Sequence, residues 1–262
     1  MAGIDPAKII VHSPLLGGFF GRRFLYGQEP MTQAILLSKA VGAPVKVVWT
    51  REEDFARTYR PLSTAKLRAG QGDEGLPVSL HITVPGEGPL GRHLPMFMQN
   101  PAVDDSVVEG LVQKPSAIAN RRIDYIKVPH PGNIGFWRSV GFSMNAFFYE
   151  GFLDECAHAA GRDSFDYRMA LLKESPRHAA LLKAVAELAG GWKSGVYNVD
   201  GKPRAMGIAM ASPFGSETAT IAEISVDDHD ISVHRLCIAV DPASIVNPAS
   251  SRHRFSQRPR SA

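Results

Sequence analysis

The spacing of apolar residues predicts a strand, a glycine turn, a helix and a second strand at the start of the chain. "KIIVHSP" (8–14) and "PVKVVWT" (44–50) are rich in β-branched residues, which is typical of strands. "EPMTQAILLSKAVG" (29–42) places apolar residues near helical spacing. Pro30 suits the first turn of that helix, and Gly42 suits its C-terminal cap.

The middle of the chain is predicted to hold a hairpin, a long excursion and one more strand. "LRAGQGDEGLPVSLHIT" (67–83) indicates two strands joined by a turn at residues 73–75. Residues 85–121 are rich in glycine, proline and polar residues, which favours a surface excursion. "RIDYIKV" (122–128) predicts a strand.

Three helices with recognisable ends are predicted next. The first covers 143–160, and the second begins after Asp163, whose side chain can cap it, and extends to about residue 174. The third begins at Ser175–Pro176 and ends at Gly190–Gly191. The apolar stripe of the first helix is predicted to consist of Phe148, Phe152 and Cys156.

Three strand-like runs follow the helices, at 204–212, 218–226 and 231–240. "DDHD" (227–230) predicts a turn between the last two runs. The elements together predict an α+β fold in which helices pack against mixed sheets.

Composition narrows the class of protein. The chain has 262 residues, of which 44% are hydrophobic and 21% charged, which is typical of a globular protein. No apolar run approaches the ~20 residues that a membrane helix needs, so no membrane association is expected. The first ten residues contain one lysine and no long apolar stretch, which predicts no signal peptide and a cytoplasmic location.

The basic charge is concentrated at the C-terminus. Residues 249–262 contain four arginines and no acid, and we expect a disordered tail there. Removing those four from the 29 Lys+Arg leaves 25 against 26 Asp+Glu, so the rest of the chain is almost neutral. A nucleic-acid partner is therefore not expected.

The glycine turn "LLGGFFGRRF" (15–24) is the first candidate binding motif. A glycine turn between a strand and a helix can present backbone N–H groups to an anion. The segment contains neither the phosphate-binding pattern GxxxxGK[ST] nor the dinucleotide pattern GxGxxG. From these residues alone, both a structural turn and an anion-binding turn stay open.

The second candidate is "GFWRSVGFSMNAFFYEGFLDE" (135–155). Arg138 lies in a glycine-flanked loop before a helix, where it could stabilise an oxyanion or orient a carbonyl group. Alternatively, it could bind the carbonyl groups at a helix end. Glu150, Asp154 and His158 share one helix face, which fits either a metal site or, more commonly, a solvated polar face.

The third candidate is a turn before a predicted strand. Phe214, Gly215 and Ser216 combine a ring, a flexible backbone position and a hydroxyl group. By itself this tripeptide is a weak signal. No CxxC or HExxH motif is present in the sequence, and since the face of Glu150, Asp154 and His158 is more commonly a solvated one, no metal ligand is predicted among the side chains.

Taken in order, four segments resemble one family. They are "LLGGFFGRRF", "AVGAPVKVVWTREEDF", "GFWRSVGFSMNAFFYEGFLDECAHAAGRDSFDYRMALL" and "EISVDDHDISVHRLCIAVDPASIVNP". This series is similar to the molybdenum-binding large subunit of the xanthine dehydrogenase and aldehyde oxidase family, nearest to its isoquinoline 1-oxidoreductase branch. The resemblance covers about residues 8–248. It implies two partial molybdopterin-binding subdomains, at 1–130 and 131–248.

The resemblance implies an oxidoreductase that hydroxylates a carbon of an N-heterocycle or an aldehyde, with water as the oxygen source. The implied cofactor is molybdenum held by molybdopterin cytosine dinucleotide. The implied partner is an iron–sulfur subunit with two [2Fe–2S] clusters, and the substrate is a small heteroaromatic compound or aldehyde.

The resemblance also assigns roles to residues. Arg138 matches the active-site arginine of the family. The positions that match cofactor-binding residues are Gly17, Gly18, Phe20 and Gly21 near the molybdenum centre, and Phe214, Gly215 and Ser216 near the pterin.

Two departures from the family pattern modify these expectations. Phe19 replaces the third glycine of the first turn, which can cost about 1 kcal/mol if a positive φ is required. The resemblance ends near Pro248, before the segment in which the family carries its general base. It therefore implies little or no hydroxylase activity for the chain by itself. The alternative is a catalytically inactive remnant that acts at most as a binding or scaffold protein.

Overall fold

The computed structural model describes residues 3–13, 15, 28–56, 58–228 and 230–249, which belong to two compact units. The first unit comprises Met1–Thr64, Pro85–Val107 and Lys127–Val140, and the second comprises Ala65–Val84, Val108–Ile126 and Gly141–Ala262. Each unit is assembled from three separated segments, whereas the predicted subdomains 1–130 and 131–248 are continuous. The assignment of those two ranges as molybdopterin-binding subdomains stays a prediction.

The predicted first helix is confirmed in the first unit. α1 (Gln28–Val41) ends at Gly42, which has φ +68° and donates its N–H to the Ser38 carbonyl at 2.9 Å. Trp49 Nε1 donates to Gln33 Oε1 at 2.7 Å and so ties the next segment to this helix. Further α-helices among the described residues before β3 are α2 (Arg51–Ala56), α3 (Pro89–His93) and α4 (Asp105–Val108).

Both strands predicted beside α1 are wrong over the residues that are described. Residues 9–13 and 44–50 have no strand structure, and most of their side chains are exposed. β-branched residues favour extended backbone, but a strand also requires a neighbour that accepts its hydrogen bonds.

The predicted surface excursion at 85–121 is also wrong, because much of it is packed. The Asp104 carboxylate accepts hydrogen bonds from the N–H groups of Gly91 at 2.8 Å and Ser106 at 3.0 Å. A Cβ atom added at Gly88 would lie 2.3 Å from Ser106 Oγ, so this position requires glycine. The apolar side chains buried in this range include Pro89, Val107, Val108, Leu111 and Ile118.

The predicted hairpin is confirmed in a three-stranded sheet. β1 (Lys66–Gln71) pairs antiparallel with β2 (Pro77–Gly86), and Gly75 in the turn has φ +73°. β3 (Asn120–Lys127) confirms the third predicted strand and completes the order β1-β2-β3. From Leu80 onwards every second residue of β2 is buried, including Leu80, Ile82 and Val84, as the alternation of a half-buried strand requires.

The three predicted helices are confirmed as α5 (Gly141–Ala159), α6 (Ser164–Leu171) and α7 (Pro176–Leu188). Asp163 caps α6 by accepting from the N–H groups of Phe165 and Asp166. The predicted stripe on α5 differs from the observed one, because Phe148 and Phe152 are only half-buried. The larger apolar side chains that α5 buries are Tyr149, Leu153 and Cys156.

A four-stranded antiparallel sheet completes the second unit. Its strands are β4 (Val196–Val199), β5 (Lys202–Ala211), β6 (Glu217–Asp227) and β7 (Asp230–Asp241), in that order across the sheet. The last three confirm the predicted strands. α7 packs on this sheet through a core that includes Leu182, Val185 and Ile221. Among the described residues, no helix is long and apolar enough to span a bilayer.

Candidate functional site

The first candidate motif lies outside the described residues. Gly17, Gly18, Phe20 and Gly21 all belong to the range 16–27, for which no structure is described. Their roles near a molybdenum centre therefore stay predictions.

The loop that carries Arg138 is anchored within the first unit. Tyr59 donates its N–H to the Asn133 carbonyl at 2.9 Å and accepts at its carbonyl from Gly135 N–H at 3.1 Å. These bonds form a parallel bridge between Tyr59 and Ile134, and His93 Nε2 lies 2.8 Å from the Ile134 carbonyl oxygen. The approach to Arg138 is therefore held by two separate parts of the chain.

Arg138 itself lies at an exposed and strained turn. The next two residues, Ser139 and Val140, have φ values of +71° and +47°. Such values are unfavourable for a β-branched residue and occur most often at functional sites. Among the described residues, none forms an ion pair or hydrogen bond with the Arg138 guanidinium, which is therefore available to a ligand.

The Phe214–Ser216 turn is the corresponding feature of the second unit. Phe214 and Gly215 both have left-handed backbone, with φ +52° and +81°, and Ser216 N–H donates to the Pro213 carbonyl at 3.0 Å. The Phe214 ring is 68% exposed and packs edge-on against Phe142, with ring centres 5.3 Å apart. The turn thus presents an aromatic ring and the backbone beside it to a ligand.

A buried charged cluster lies next to this turn. Arg168 donates from Nε to Glu150 Oε2 at 3.0 Å and from a terminal nitrogen to Asp154 Oδ1 at 2.6 Å. Lys114 Nζ lies 3.7 Å from Glu150 Oε1 and 4.2 Å from the centre of the Tyr149 ring. We define the charged cluster as Lys114, Tyr149, Glu150, Asp154 and Arg168.

The charged cluster lies beside the chain that leads into the turn. Four of its members, Lys114, Tyr149, Glu150 and Arg168, line a cavity of about 30 Å³ together with Met210 and Ser212, and Ser212 directly precedes Pro213. This volume suits about one water molecule. The charged cluster and the residue that leads into the turn therefore share one small cavity.

The polar face predicted on α5 has a different role from either of the alternatives. Glu150 and Asp154 bind Arg168 of α6, so the first is buried instead of solvated. His158 is exposed. Within the part of the chain that is described, no three His, Cys, Asp or Glu side chains could together hold a metal ion. Glu150 and Asp154, two acidic residues among the buried positions of α5, indicate that a cation lies opposite them. The sequence alone does not identify this cation as Arg168.

Burial and charge shift the pKa values of the charged cluster. Burial lowers the pKa of Lys114, although the carboxylate of Glu150 opposes this. Burial also disfavours the charge on Arg168, but Glu150 and Asp154 outweigh it and raise its pKa. Burial raises the pKa of Tyr149 to about 12, against the effect of its hydrogen bond with Ser116.

The raised pKa of Tyr149 predicts a loss of stability in alkali. Its pKa is about 12 in the folded chain and 10.0 for an ordinary tyrosine. This shift contributes roughly 3 kcal/mol to the free energy of unfolding. The contribution is fully present below pH 10 and is lost as the pH rises towards 12. Urea unfolding between pH 9 and pH 12 should show a shallower decline for Tyr149→Phe than for wild type. Tyr59→Phe, at an exposed ring, should follow wild type, and equal slopes for all three would contradict the prediction.

Comparison with known proteins identifies the family. The model of the molybdopterin cofactor-binding domain matches residues 1–172, about two thirds of the chain. The chain belongs to the molybdopterin cofactor-binding domain family. The resemblance carried by the four sequence segments is thereby confirmed.

Curated relatives of this molybdopterin cofactor-binding chain are oxidoreductases by name. It is 29% identical to the beta subunit of isoquinoline 1-oxidoreductase of Brevundimonas diminuta, over 94% of the chain and 32% of that protein. It is 26% identical to one subunit of the nicotinate dehydrogenase of Pseudomonas putida, over 96% of the chain and 22% of that protein. It is also 26% identical to the membrane-bound aldehyde dehydrogenase [pyrroloquinoline-quinone] of Gluconacetobacter polyoxogenes, over 95% and 35%. The chain spans about a third or less of these relatives.

Solved structures confirm the predicted fold. Quinoline 2-oxidoreductase from Pseudomonas putida 86 matches with a TM-score of 0.56 and 18% identity, over 84% of this chain and 32% of that one. The aldehyde oxidoreductase from Desulfovibrio desulfuricans matches with a TM-score of 0.53 and 16% identity, over 83% and 25%. The α+β fold of a partial molybdopterin-binding domain is therefore that of these enzymes.

Proposed function

We propose that the chain is the cofactor-binding part of a molybdopterin-dependent oxidoreductase. In this proposal the enzyme hydroxylates a carbon of an N-heterocycle or an aldehyde, with oxygen taken from water. The family match over residues 1–172 is the observation that carries it. The names of the relatives, which refer to isoquinoline, nicotinate and aldehyde, support the substrate classes.

The residues of the second unit fit a cofactor that is held by contacts other than metal ligation. A Cβ atom added at Gly215 would have no atom within 4 Å, so space is open beside the left-handed turn. The exposed ring of Phe214 provides a flat surface for a pterin, and the Ser216 hydroxyl provides a polar contact. When bound, molybdopterin supplies the two-electron redox chemistry of the reaction.

Arg138 is proposed to act on the substrate. Its guanidinium is permanently charged and offers several N–H donors. From an exposed turn it can bind a carbonyl oxygen or ring nitrogen and stabilise negative charge that develops there. This role follows the match with the active-site arginine of the family and belongs to the proposal.

The finer identity of the cofactor and the partner also belongs to the proposal. We assign molybdopterin cytosine dinucleotide as the cofactor, and an iron–sulfur subunit with two [2Fe–2S] clusters as the electron acceptor. Two relatives are named as single subunits of their enzymes, which supports an assembly with further subunits.

The proposal predicts that the chain purifies with molybdenum and pterin. The chain is expressed in a host that makes molybdopterin cytosine dinucleotide. Metal analysis should find molybdenum, oxidation should release a fluorescent pterin, and hydrolysis should release cytidine monophosphate. Gly215→Val places a side chain in the open space beside the turn and should reduce cofactor retention roughly tenfold.

Gly201→Val is a matched control for this experiment. Gly201 has φ +77° against +81° for Gly215, and at both positions an added Cβ atom meets nothing within 4 Å. Both substitutions therefore introduce similar backbone strain, but Gly201 lies between β4 and β5. Equal retention by the two variants would contradict the role of the turn. A wild-type chain without molybdenum and pterin would contradict the proposed function and favour the inactive remnant.

A further inference from the structure

A cleft lies in the first unit, and none of the described residues that line it is assigned to the cofactor or the substrate. Its volume is about 390 Å³, and it is lined by residues 62–64, 85–87 and 128–131. Volumes of about 300–1,000 Å³ are typical of small-molecule sites. The bridge between Ser63 and Gly86 and the hydrogen bond from Val128 N–H to the Gly86 carbonyl hold the three segments together.

The walls of the cleft are largely apolar and stiff. They include Leu62 and Val128 and three prolines, at positions 85, 129 and 131. Proline fixes its own φ angle, so these walls change little when a ligand binds. Such a cleft favours a small and rigid apolar molecule.

Glu87 supplies a hydrogen-bond acceptor in this apolar setting. Its side chain is 8% exposed, and its Oε2 accepts from His130 N–H at 2.7 Å and lies 3.1 Å from a terminal nitrogen of Arg92. No described residue donates a hydrogen bond to the other carboxylate oxygen, Oε1. This oxygen is accessible to solvent. Oε1 can therefore accept a hydrogen bond from a ligand in the cleft.

The charge of Glu87 is already balanced by Arg92. A cationic ligand would thus gain little additional attraction and would lose its hydration in an apolar cleft. A neutral donor keeps the hydrogen bond to a carboxylate oxygen at a smaller cost of desolvation. These opposing effects favour a neutral ligand over a cationic one.

We infer that this cleft binds a small, neutral, largely apolar ring compound that carries one N–H or O–H donor, which it donates to Glu87. This inference does not rest on the molybdopterin proposal, because no described residue that lines the cleft is assigned a cofactor or substrate role.

Indole and benzofuran test the inference, because they have nearly the same shape and only indole has an N–H group. Titrations of the purified chain, followed by saturation-transfer NMR, should give an indole dissociation constant of about 1 mM or lower. Benzofuran should bind about tenfold more weakly, since it cannot donate to Glu87. Glu87→Gln replaces a charged acceptor by a neutral one and should reduce this preference to about threefold.

Two further variants separate the cleft from other surfaces. Thr64 is an exposed residue of the cleft wall, and Thr64→Trp should fill the cleft and abolish binding of both probes. Glu155→Gln, at an exposed residue of α5, should leave the tenfold preference unchanged. Equal binding of indole and benzofuran to wild type would overturn the inference and indicate a wall covered by another polypeptide segment. Indole binding that survives Thr64→Trp would also overturn it.

Discussion

Replacement of Arg168 by methionine is expected to lower the free energy of unfolding by about 3–5 kcal/mol. Arg168 is 2% exposed, and its guanidinium donates to both the side chain and the backbone carbonyl of Glu150. Without the guanidinium, Lys114, whose Nζ is 3.7 Å away, is the one cation among the described residues that still pairs with the buried carboxylate of Glu150. The loss comes mainly from an uncompensated buried charge, and urea unfolding at pH 7 measures it.

Two variants test this explanation. Arg177→Met removes an ion pair with Asp241 whose side chains are 46% and 37% exposed, and it should cost less than about 1 kcal/mol. The double variant Arg168→Met/Glu150→Met removes both charges of this pair but leaves Lys114, whose side chain is 6% exposed, without Glu150, so it should recover only part of the loss. A loss for Arg168→Met no larger than that for Arg177→Met would show that the buried pair contributes little.

The substitution Leu182→Ala is expected to cost about 2–5 kcal/mol. Leu182 is 0% exposed and lies in the core between α7 and the four-stranded sheet. Removal of its branched end loses the contacts of the buried methyl groups and leaves a cavity between helix and sheet. The urea midpoint, at constant denaturant dependence, gives the change in stability.

Leu188 provides a control on the same helix. Its side chain is 59% exposed, so Leu188→Ala removes few contacts and should change the stability by no more than about 0.5 kcal/mol. Both variants have similar helix propensity, so the difference between them reports burial. Similar losses for the two would place the core of this unit elsewhere.

The helices of the second unit could be predicted because their ends are marked by local chemistry. Asp163 caps α6 through its own side chain, and Pro176 occupies the first position of α7. Hydrogen bonds of this kind join residues two or three positions apart, so the sequence contains the whole interaction. The hairpin around Gly75 was predictable for the same reason.

The failed predictions depend on partners that are distant in the sequence. The strands expected at 8–14 and 44–50 needed a neighbouring strand, which no local pattern specifies. The segment 85–121 looked like surface because it is polar, yet Asp104 and Ser106 satisfy each other and buried backbone groups. The hydrogen-bond partners of Asp104 and Ser106 cannot be predicted from the periodicity of a helix or a strand.

The candidate site was predicted unevenly for a similar reason. Arg138 and Phe214 were candidates from their positions in a glycine-flanked loop and a glycine turn, and the family resemblance gave them roles. The structure adds left-handed backbone at both places. Arg168 was missed, because it binds Glu150 from another helix, 18 positions away. Spacing on one helix identifies residues that share a face, but it does not identify what covers that face.

The assembly of each unit from three separated segments has a consequence for synthesis on the ribosome. Tyr59 emerges long before Ile134, with which it forms its bridge. Translation adds about 5–20 residues per second, so Ile134 emerges several seconds after Tyr59. During that interval residues 65–84 leave the ribosomal exit tunnel, so β1 and β2 can pair with each other. The nascent chain therefore acquires part of its second unit before its first can close.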